Sequence, residues 1–267
     1  MSDDVKKIVK DAYTKVVTQS CCGGESACCG GESACCGDEG MNFSPDYSQL
    51  DGYVAEADYG LGCGLPTEKA RIKEGDTVVD LGSGAGNDVF IVRRIVGEKG
   101  RVIGIDMTEA MIEKARANNR KLGYENVEFV LGDIEAMPLD NEIADVVVSN
   151  CVLNLVPDKE KAFKEIHRIL KSGGHCSISD IVIEGELPEG IRQVAQLYAG
   201  CISGAINRAA YLDIFRKAGL TNVSVIKESR YSLSDELLLN HISQDQLVKF
   251  RNSNSSILSI TVSAYKA

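Results

Sequence analysis

The sequence predicts an α/β fold, a doubly wound sheet of mostly parallel strands covered by helices on both faces. Three observations carry that expectation. From residue 77 onward, short β-branched runs alternate with stretches of helical periodicity. The strand-like runs are nearly continuous in apolar residues, as strands buried on both faces must be. The first of them runs into a glycine-rich turn, Gly82-Ser83-Gly84-Ala85-Gly86, at a strand-to-helix junction.

The elements follow in order. Residues 3–18 place Val5, Ile8, Val9, Ala12 and Val16 at helical spacing behind Asp3 and Asp4, which predicts one amphipathic helix. Residues 21–37, CCGGESACCGGESACCG, hold six of the ten cysteines in adjacent pairs, one pair every seven residues. Two glycines per heptad and no β-branched residue exclude a stable helix or strand there and predict a flexible loop. Residues 43–66 are turn-rich, and Pro66 is expected to open a short helix through Ile72. TVVDLG from residue 77 is the first strand, followed by a helix to about Val96, the strand RVIGID and a helix from Thr108 to Leu122. The strands NVEFVLGD and IADVVVSNCV, a helix over 159–170 and the strand HCSISDIVI continue the alternation. A helix at 208–218, the strand VSVIKESRYSL, a helix near 233–250 and the strand ILSITVSAYK complete it. Residues 184–206 break the pattern and are expected to form a helical insertion over the carboxyl edge of the sheet. The expected division is 1–40 for the helix and cysteine repeat, 41–183 for the main domain with an N-terminal lid segment, and 184–267 for the insertion and a C-terminal subdomain. A chain lacking residues 1–40 is expected to fold, because the repeat offers no core residues.

Composition narrows the function. A formal net charge of −10 argues against a nucleic-acid partner, which needs clustered Lys and Arg. No apolar stretch reaches the ~18 residues of a spanning helix, and the N-terminus lacks the apolar segment of a signal peptide, so no membrane association and a reducing cytoplasm are expected. In that compartment clustered cysteines bind soft ions or do chemistry more often than they form disulfide frameworks. Adjacent pairs without histidine do not have zinc-site spacing, so no structural metal is expected.

The glycine turn points to a bound ligand. An unliganded tight turn needs one or two glycines, not three at alternate positions, and glycine permits close approach to the backbone. The spacing is GxGxG rather than GxGxxG, and the preceding Asp80 would repel a pyrophosphate but suits a cation. Asp106 ends the second strand, 20 residues after Gly86, where a carboxylate accepts both hydroxyls of a ribose. The third strand ends in Gly132-Asp133-Ile134, an acid and an apolar side chain suited to the amino group and ring face of adenine. From about Asp76 to Gly174 this pattern resembles the class I S-adenosylmethionine-dependent methyltransferases, which are Rossmann-like. The resemblance implies a mostly parallel sheet with one antiparallel strand and a C-terminal α+β extension. It also implies S-adenosylmethionine bound by Asp80, Gly82, Ser83, Gly84, Gly86, Asp106, Met107, Asp133, Ile134 and Asn150.

Outside the repeat the cysteines are Cys63, Cys151, Cys176 and Cys201. Cys151 follows the fourth strand, Cys63 lies in a glycine-flanked loop before the sheet, and Cys201 lies in the insertion, so three of them are expected to face one pocket. Packing explains any one of them alone, and it is the reading for Cys176, which alternates with Ile178 inside the fifth strand. With CCGGES upstream and TVSAYK at the end, these phrases are similar to the arsenite methyltransferases over nearly the whole chain. That resemblance implies that Cys63, Cys151 and Cys201 hold trivalent arsenic as a three-thiolate complex whose lone pair takes the methyl group without a general base. The implied substrates are arsenite and methylated trivalent arsenicals, and the implied electron source is a thiol reductant such as glutathione or thioredoxin. The repeat then reads either as a soft-ion scavenger that delivers arsenic or supplies thiols, or as an expanded segment without an essential role. Two other readings stand beside this one: a methyltransferase acting on an organic carbon or oxygen nucleophile such as a quinone or sterol, and a thiol-rich metal-binding protein. No histidine or acid lies in SNCVLNL to serve the former as a base.

Overall fold

A computed structural model describes residues 2–19, 45–187, 204–231, 234–240, 242–253 and 255–267. Seven strands form its sheet: β1 (Thr77–Leu81), β2 (Arg101–Asp106), β3 (Val127–Leu131), β4 (Ala144–Asn150), β5 (Leu170–Glu184), β6 (Thr221–Tyr231) and β7 (Ser256–Tyr265). Their order is β3-β2-β1-β4-β5-β7-β6. The β1–β2, β1–β4, β2–β3 and β4–β5 pairs are parallel, while β7 runs antiparallel to both neighbours. The chain leaves β1 toward β2 and β3 on one side and returns to place β4 on the other. This reversal opens a crevice at the carboxyl ends of β1 and β4.

Strand alternation sorts the apolar side chains into two layers. Val78, Val102, Val146 and Val148 join α2 (Asn87–Val96) and α3 (Glu109–Leu122) through Val89, Phe90, Met111 and Ile112. Val79, Leu81, Ile103, Ile105 and Val147 join α4 (Lys159–Ile169) and α5 (Arg208–Lys217). The second layer centres on Phe163, Tyr211 and Phe215, with ring centroids 4.4–6.0 Å apart. Helix ends are set by side chains: Asp158 accepts from the Lys161 amide at α4, and Asn207 from the Ala209 amide at α5. α1 (Ser2–Gln19) lies against the first layer with Tyr13 and Val17, while Val5 and Ile8 of the apolar face read from the sequence are exposed, because the face turned to the sheet is the one that carries Tyr13 and Val17.

The structure has the doubly wound, mostly parallel sheet with one antiparallel strand that the sequence predicts, and three local expectations change. Pro66 opens a run of turns over 66–69 rather than a helix to Ile72. The helix near 233–250 is two short helices, α6 (Asp235–Leu239) and α7 (Gln244–Arg251). Ser243 restarts the helix with a capping box to Gln246, a local signal that overrides the longer apolar periodicity. β5 begins at Leu170, five residues earlier than HCSISDIVI suggests, because Leu170 already pairs with Ala144. The predicted helical insertion, Cys201 and the cysteine repeat lie largely or wholly outside the described residues. β7 and β6 extend the sheet beyond β5. Among the described residues no helix is long and apolar enough to cross a membrane.

Phe163→Ala removes the ring shared by both aromatic neighbours and is expected to cost about 3–5 kcal/mol of stability. A urea-denaturation midpoint checks it.

Candidate active site

The crevice at the carboxyl ends of β1 and β4 holds a cavity lined by the turn after β1, the ends of β2 and β3, the segment after β4, and α1. Gly82, Gly84 and Gly86 all take positive φ values, +68°, +52° and +103°. At Gly86 a Cβ would lie 2.7 Å from the Phe90 ring and 2.9 Å from that of Phe129, so this position fixes how α2 leaves the turn. Gly86 itself does not line the cavity, whereas Gly82, Ser83 and Gly84 do. Around Gly84 the nearest atom to an added Cβ is Met111 Sδ at 3.9 Å, leaving this backbone open to a ligand.

Acids ring this turn. Asp106 ends β2, and its two oxygens accept from the amides of Gly84 (3.0 Å) and Thr108 (2.8 Å). Each oxygen keeps a lone pair, the arrangement needed for two neighbouring hydroxyls. Burial, and then the charges of Asp88 and Asp106, hold the Asp80 carboxyl well above its ordinary range. Burial pushes Asp88 up to about 6. Ser83 Oγ, Asn87 Oδ1 and Asp88 Oδ1 are buried without a hydrogen-bond partner, and all three residues line the cavity. Acids held above their ordinary range by burial, and orphaned oxygens beside them, fit a ligand that brings positive charge and N–H donors.

Met107, Asp133, Ile134 and Asn150 also line the cavity. Asp133 is bridged by Lys6 of α1 at 2.6 Å, and Lys6 also pairs with Glu135. Asn150 is engaged with protein on every polar atom. Its Oδ1 accepts from the amides of Cys63 (3.0 Å) and Gly64 (3.3 Å), while its Nδ2 donates to Gly64 O (2.9 Å), Tyr47 Oη (2.6 Å) and Asp88 Oδ2 (3.2 Å). Its side chain is a clasp between the end of β4 and the Cys63 loop.

That clasp brings Cys63 to Cys151. Their Cα atoms are 5.7 Å apart and the two are joined as a disulfide across 88 residues of sequence. Cys151 takes φ +59°, a left-handed conformation that costs a non-glycine residue energy and is held here by its amide donating to Ser179 O at 2.8 Å. The Cys63 carbonyl accepts from Ser259 Oγ (2.6 Å) and Tyr231 Oη (3.1 Å), tying the loop to β6 and β7. Cys176 is free and fully buried in β5, and burial pushes its thiol up to about 12, as packing rather than chemistry requires.

The comparisons with known proteins agree with this geometry. Residues 72–219 match the family model described as a methyltransferase domain. A solved structure of CrArsM, an arsenic(III) S-adenosylmethionine methyltransferase from Chlamydomonas reinhardtii, is 35% identical, superposes with a TM-score of 0.65, and is matched over 77% of this chain and 68% of that one. The chain belongs to the arsenite methyltransferase family. A relative named arsenite methyltransferase from Halobacterium salinarum is 39% identical over 246 residues, which are 87% of this chain and 62% of the relative. The human protein of that name is 42% identical over 162 residues, 57% of this chain and 42% of its own length. The chain thus spans about three fifths of the first of these arsenite methyltransferases and about two fifths of the second.

The site also contains groups with little or no signal in the sequence. Asp88 sits in the first turn of α2, where an acid ordinarily reads as a partner of the helix dipole. Lys6 lies on the cavity-facing side of α1 with Val9 and Tyr13, and nothing in the sequence marks its target. Asp180 had a signal, an acid inside an otherwise apolar strand. It is fully buried, accepts from Tyr211 Oη and the Ile181 amide at 3.0 Å each, and lies with its ligand oxygen within 4.8 Å of both sulfurs. Burial raises Asp180 to about 7 despite those bonds and the nearby Lys159 ammonium.

Folded Asp180 therefore holds its proton to about pH 7, while an unfolded aspartate releases it near 3.8. Its contribution is fully present below the unfolded value and is lost as pH rises through about 7. Asp180→Asn removes that titration, so the variant is expected to gain about 1–3 kcal/mol relative to the unsubstituted chain between pH 5 and pH 8. Urea midpoints of both chains across this range measure it.

Proposed function

We propose that this chain transfers methyl groups from S-adenosylmethionine to thiol-bound trivalent arsenic. The observation that carries the reading is the convergence of Cys63 and Cys151 beside an acid-lined cavity behind a glycine turn, with Cys151 in its wall. S-adenosylmethionine supplies an electrophilic methyl group on a sulfonium, the centre that a lone pair on three-thiolate arsenic takes up. Asp106 accepts the ribose hydroxyls, Asp133 the adenine amino group, and Ile134 and Met107 supply apolar contact. Asp80 faces the ammonium end, with Gly82, Ser83 and Gly84 forming the turn around it and Gly86 setting its exit into α2. Asn150 holds the Cys63 loop in place. Cys63, Cys151 and Cys201 bind arsenite and its methylated trivalent products, soft thiolates selecting a thiophilic centre.

Cys63 and Cys151 ligate arsenic only as thiolates, so their disulfide must first receive two electrons. A thiol reductant such as glutathione or thioredoxin supplies them. The reading places the protein in the cytoplasm, where such thiols are maintained. It keeps the division into 1–40, 41–183 and 184–267, with the qualification that α1 contributes Lys6, Val9 and Tyr13 to the cavity wall.

Purified full-length protein incubated with arsenite, glutathione and methyl-labelled S-adenosylmethionine is expected to yield labelled methylarsenicals. Cys63→Ser and Cys151→Ser should each lose arsenite affinity steeply while keeping cofactor affinity. Label that enters only organic acceptors would overturn the reading.

Asp106→Ala removes the acceptor for two hydroxyls, each such bond to a charged group being worth about 1.5–3 kcal/mol. Calorimetry is expected to show S-adenosylmethionine binding weakened by at least tenfold.

A further inference from the structure

The two sulfurs of the Cys63–Cys151 disulfide belong to different cavities. Cys151 lines the acid-ringed cavity and Cys63 does not. Cys63 lines a second cavity of about 250 Å³ on the β6–β7 side, and Cys151 does not line that one. We propose that this second cavity admits a small anionic thiol, which opens the disulfide by attacking Cys63. The proposal rests on the reading in which the pair must be reduced before arsenic binds.

Charge sorts the two approaches. Among the described residues, the first cavity is lined by five acids, Asp58, Asp80, Asp88, Asp106 and Asp133, against the single cation Lys6. An anionic thiol meets repulsion there, and a bound cationic cofactor would block it besides. Among the described residues, the second cavity is lined by Lys227, no acid, and the hydroxyls of Ser229, Tyr231, Ser259 and Thr261. It reaches from Ser229, which is exposed, to Cys63, which is buried. Tyr231 and Ser259 hold the Cys63 carbonyl, so the walls that receive the thiol also fix its target. Lys227 pairs with Glu68 at 2.6 Å, but both side chains are about two-fifths exposed, 40% and 42%. An exposed pair of this kind is weak and yields to an incoming carboxylate.

The chemistry balances within the two cavities. A thiolate attacks Cys63 Sγ, the Cys63–Cys151 bond breaks, and Cys151 leaves with the electron pair as a thiolate. A second thiolate then attacks the outer sulfur of the mixed disulfide and expels Cys63 as a thiolate. Two small thiols end as one disulfide, two cysteines are reduced, and the protons of the small thiols pass to solvent or to the cysteines. Cys151 is thereby released on the side of the cofactor cavity, and the reductant never has to enter that cavity.

The test contains neither arsenite nor S-adenosylmethionine, so its outcome is independent of whether the protein methylates arsenic. Full-length protein carrying the Cys63–Cys151 disulfide, verified by non-reducing peptide mapping, is exposed briefly to glutathione, quenched with acid and alkylated. Peptide mass spectrometry is expected to find glutathione on Cys63 and the alkylating label on Cys151. Lys227→Glu, a substitution at a half-exposed position, should slow disulfide opening by glutathione about five- to tenfold. It should leave opening by cysteamine, a cationic thiol, unslowed. A glutathione adduct mainly on Cys151 overturns the proposal. So does an equal response of both thiols to Lys227→Glu, or the pairing of Cys63 with a cysteine of the 21–37 repeat in place of an adduct.

Discussion

The carboxamide of Asn150 is the point on which the site depends. It sits at the end of β4, the central strand, and uses its oxygen and its nitrogen to grip both sides of the Cys63–Gly64 peptide. Tyr47 and Asp88 complete the grip, Tyr47 donating to Gly64 O at 3.0 Å and to Asp88 Oδ2 at 3.3 Å. A loop without regular secondary structure is thereby fixed to the sheet by side-chain bonds alone. The packing leaves no slack, because a Cβ at Gly62 would meet the Asn150 amide at 2.7 Å and one at Gly64 would meet Ser179 Oγ at 2.6 Å. The proximity of Cys63 to Cys151 follows from these contacts.

Around that clasp the protein concentrates carboxylates where solvent cannot screen them. Asp80 and Asp106 end adjacent parallel strands, and Asp88 opens the helix that follows the glycine turn. Parallel strands in register deliver their terminal residues to one edge, so three acids distant in sequence share one electrostatic environment. All three are raised, with burial as the leading cause. Such a cavity is complementary to a positively charged ligand and hostile to anions. The sulfur chemistry sits at its boundary, with one cysteine on the acidic side and the other facing hydroxyls and a lysine.

The strand ends were legible in the sequence because they obey local rules. A β-branched run followed by alternate glycines marks the first strand-to-helix turn, and the acids at 106 and 133 mark the ends of the next two strands. The capping box at Ser243 was equally local, yet a longer apolar periodicity masked it. Asn150 was legible as a residue at a strand end but not as a clasp, since its partners lie 86, 87 and 103 residues away. Lys6 was less legible still: its partner Asp133 is 127 residues distant, and a lysine on a helix has no sequence signature of its target.

By itself, the sequence determined the alternation of strands and helices, the position of the glycine turn and the identity of the acids around it, all of which follow from short-range periodicity and backbone sterics. It also determined that few cysteines lie outside the repeat. Tertiary structure alone decided that Cys63 and Cys151 face different cavities, that Asp180 lies beside both, and that α1 closes one side of the pocket. These are facts of long-range packing: they depend on which surfaces the sheet buries together, and no local pattern encodes a distance between residues separated by most of a domain.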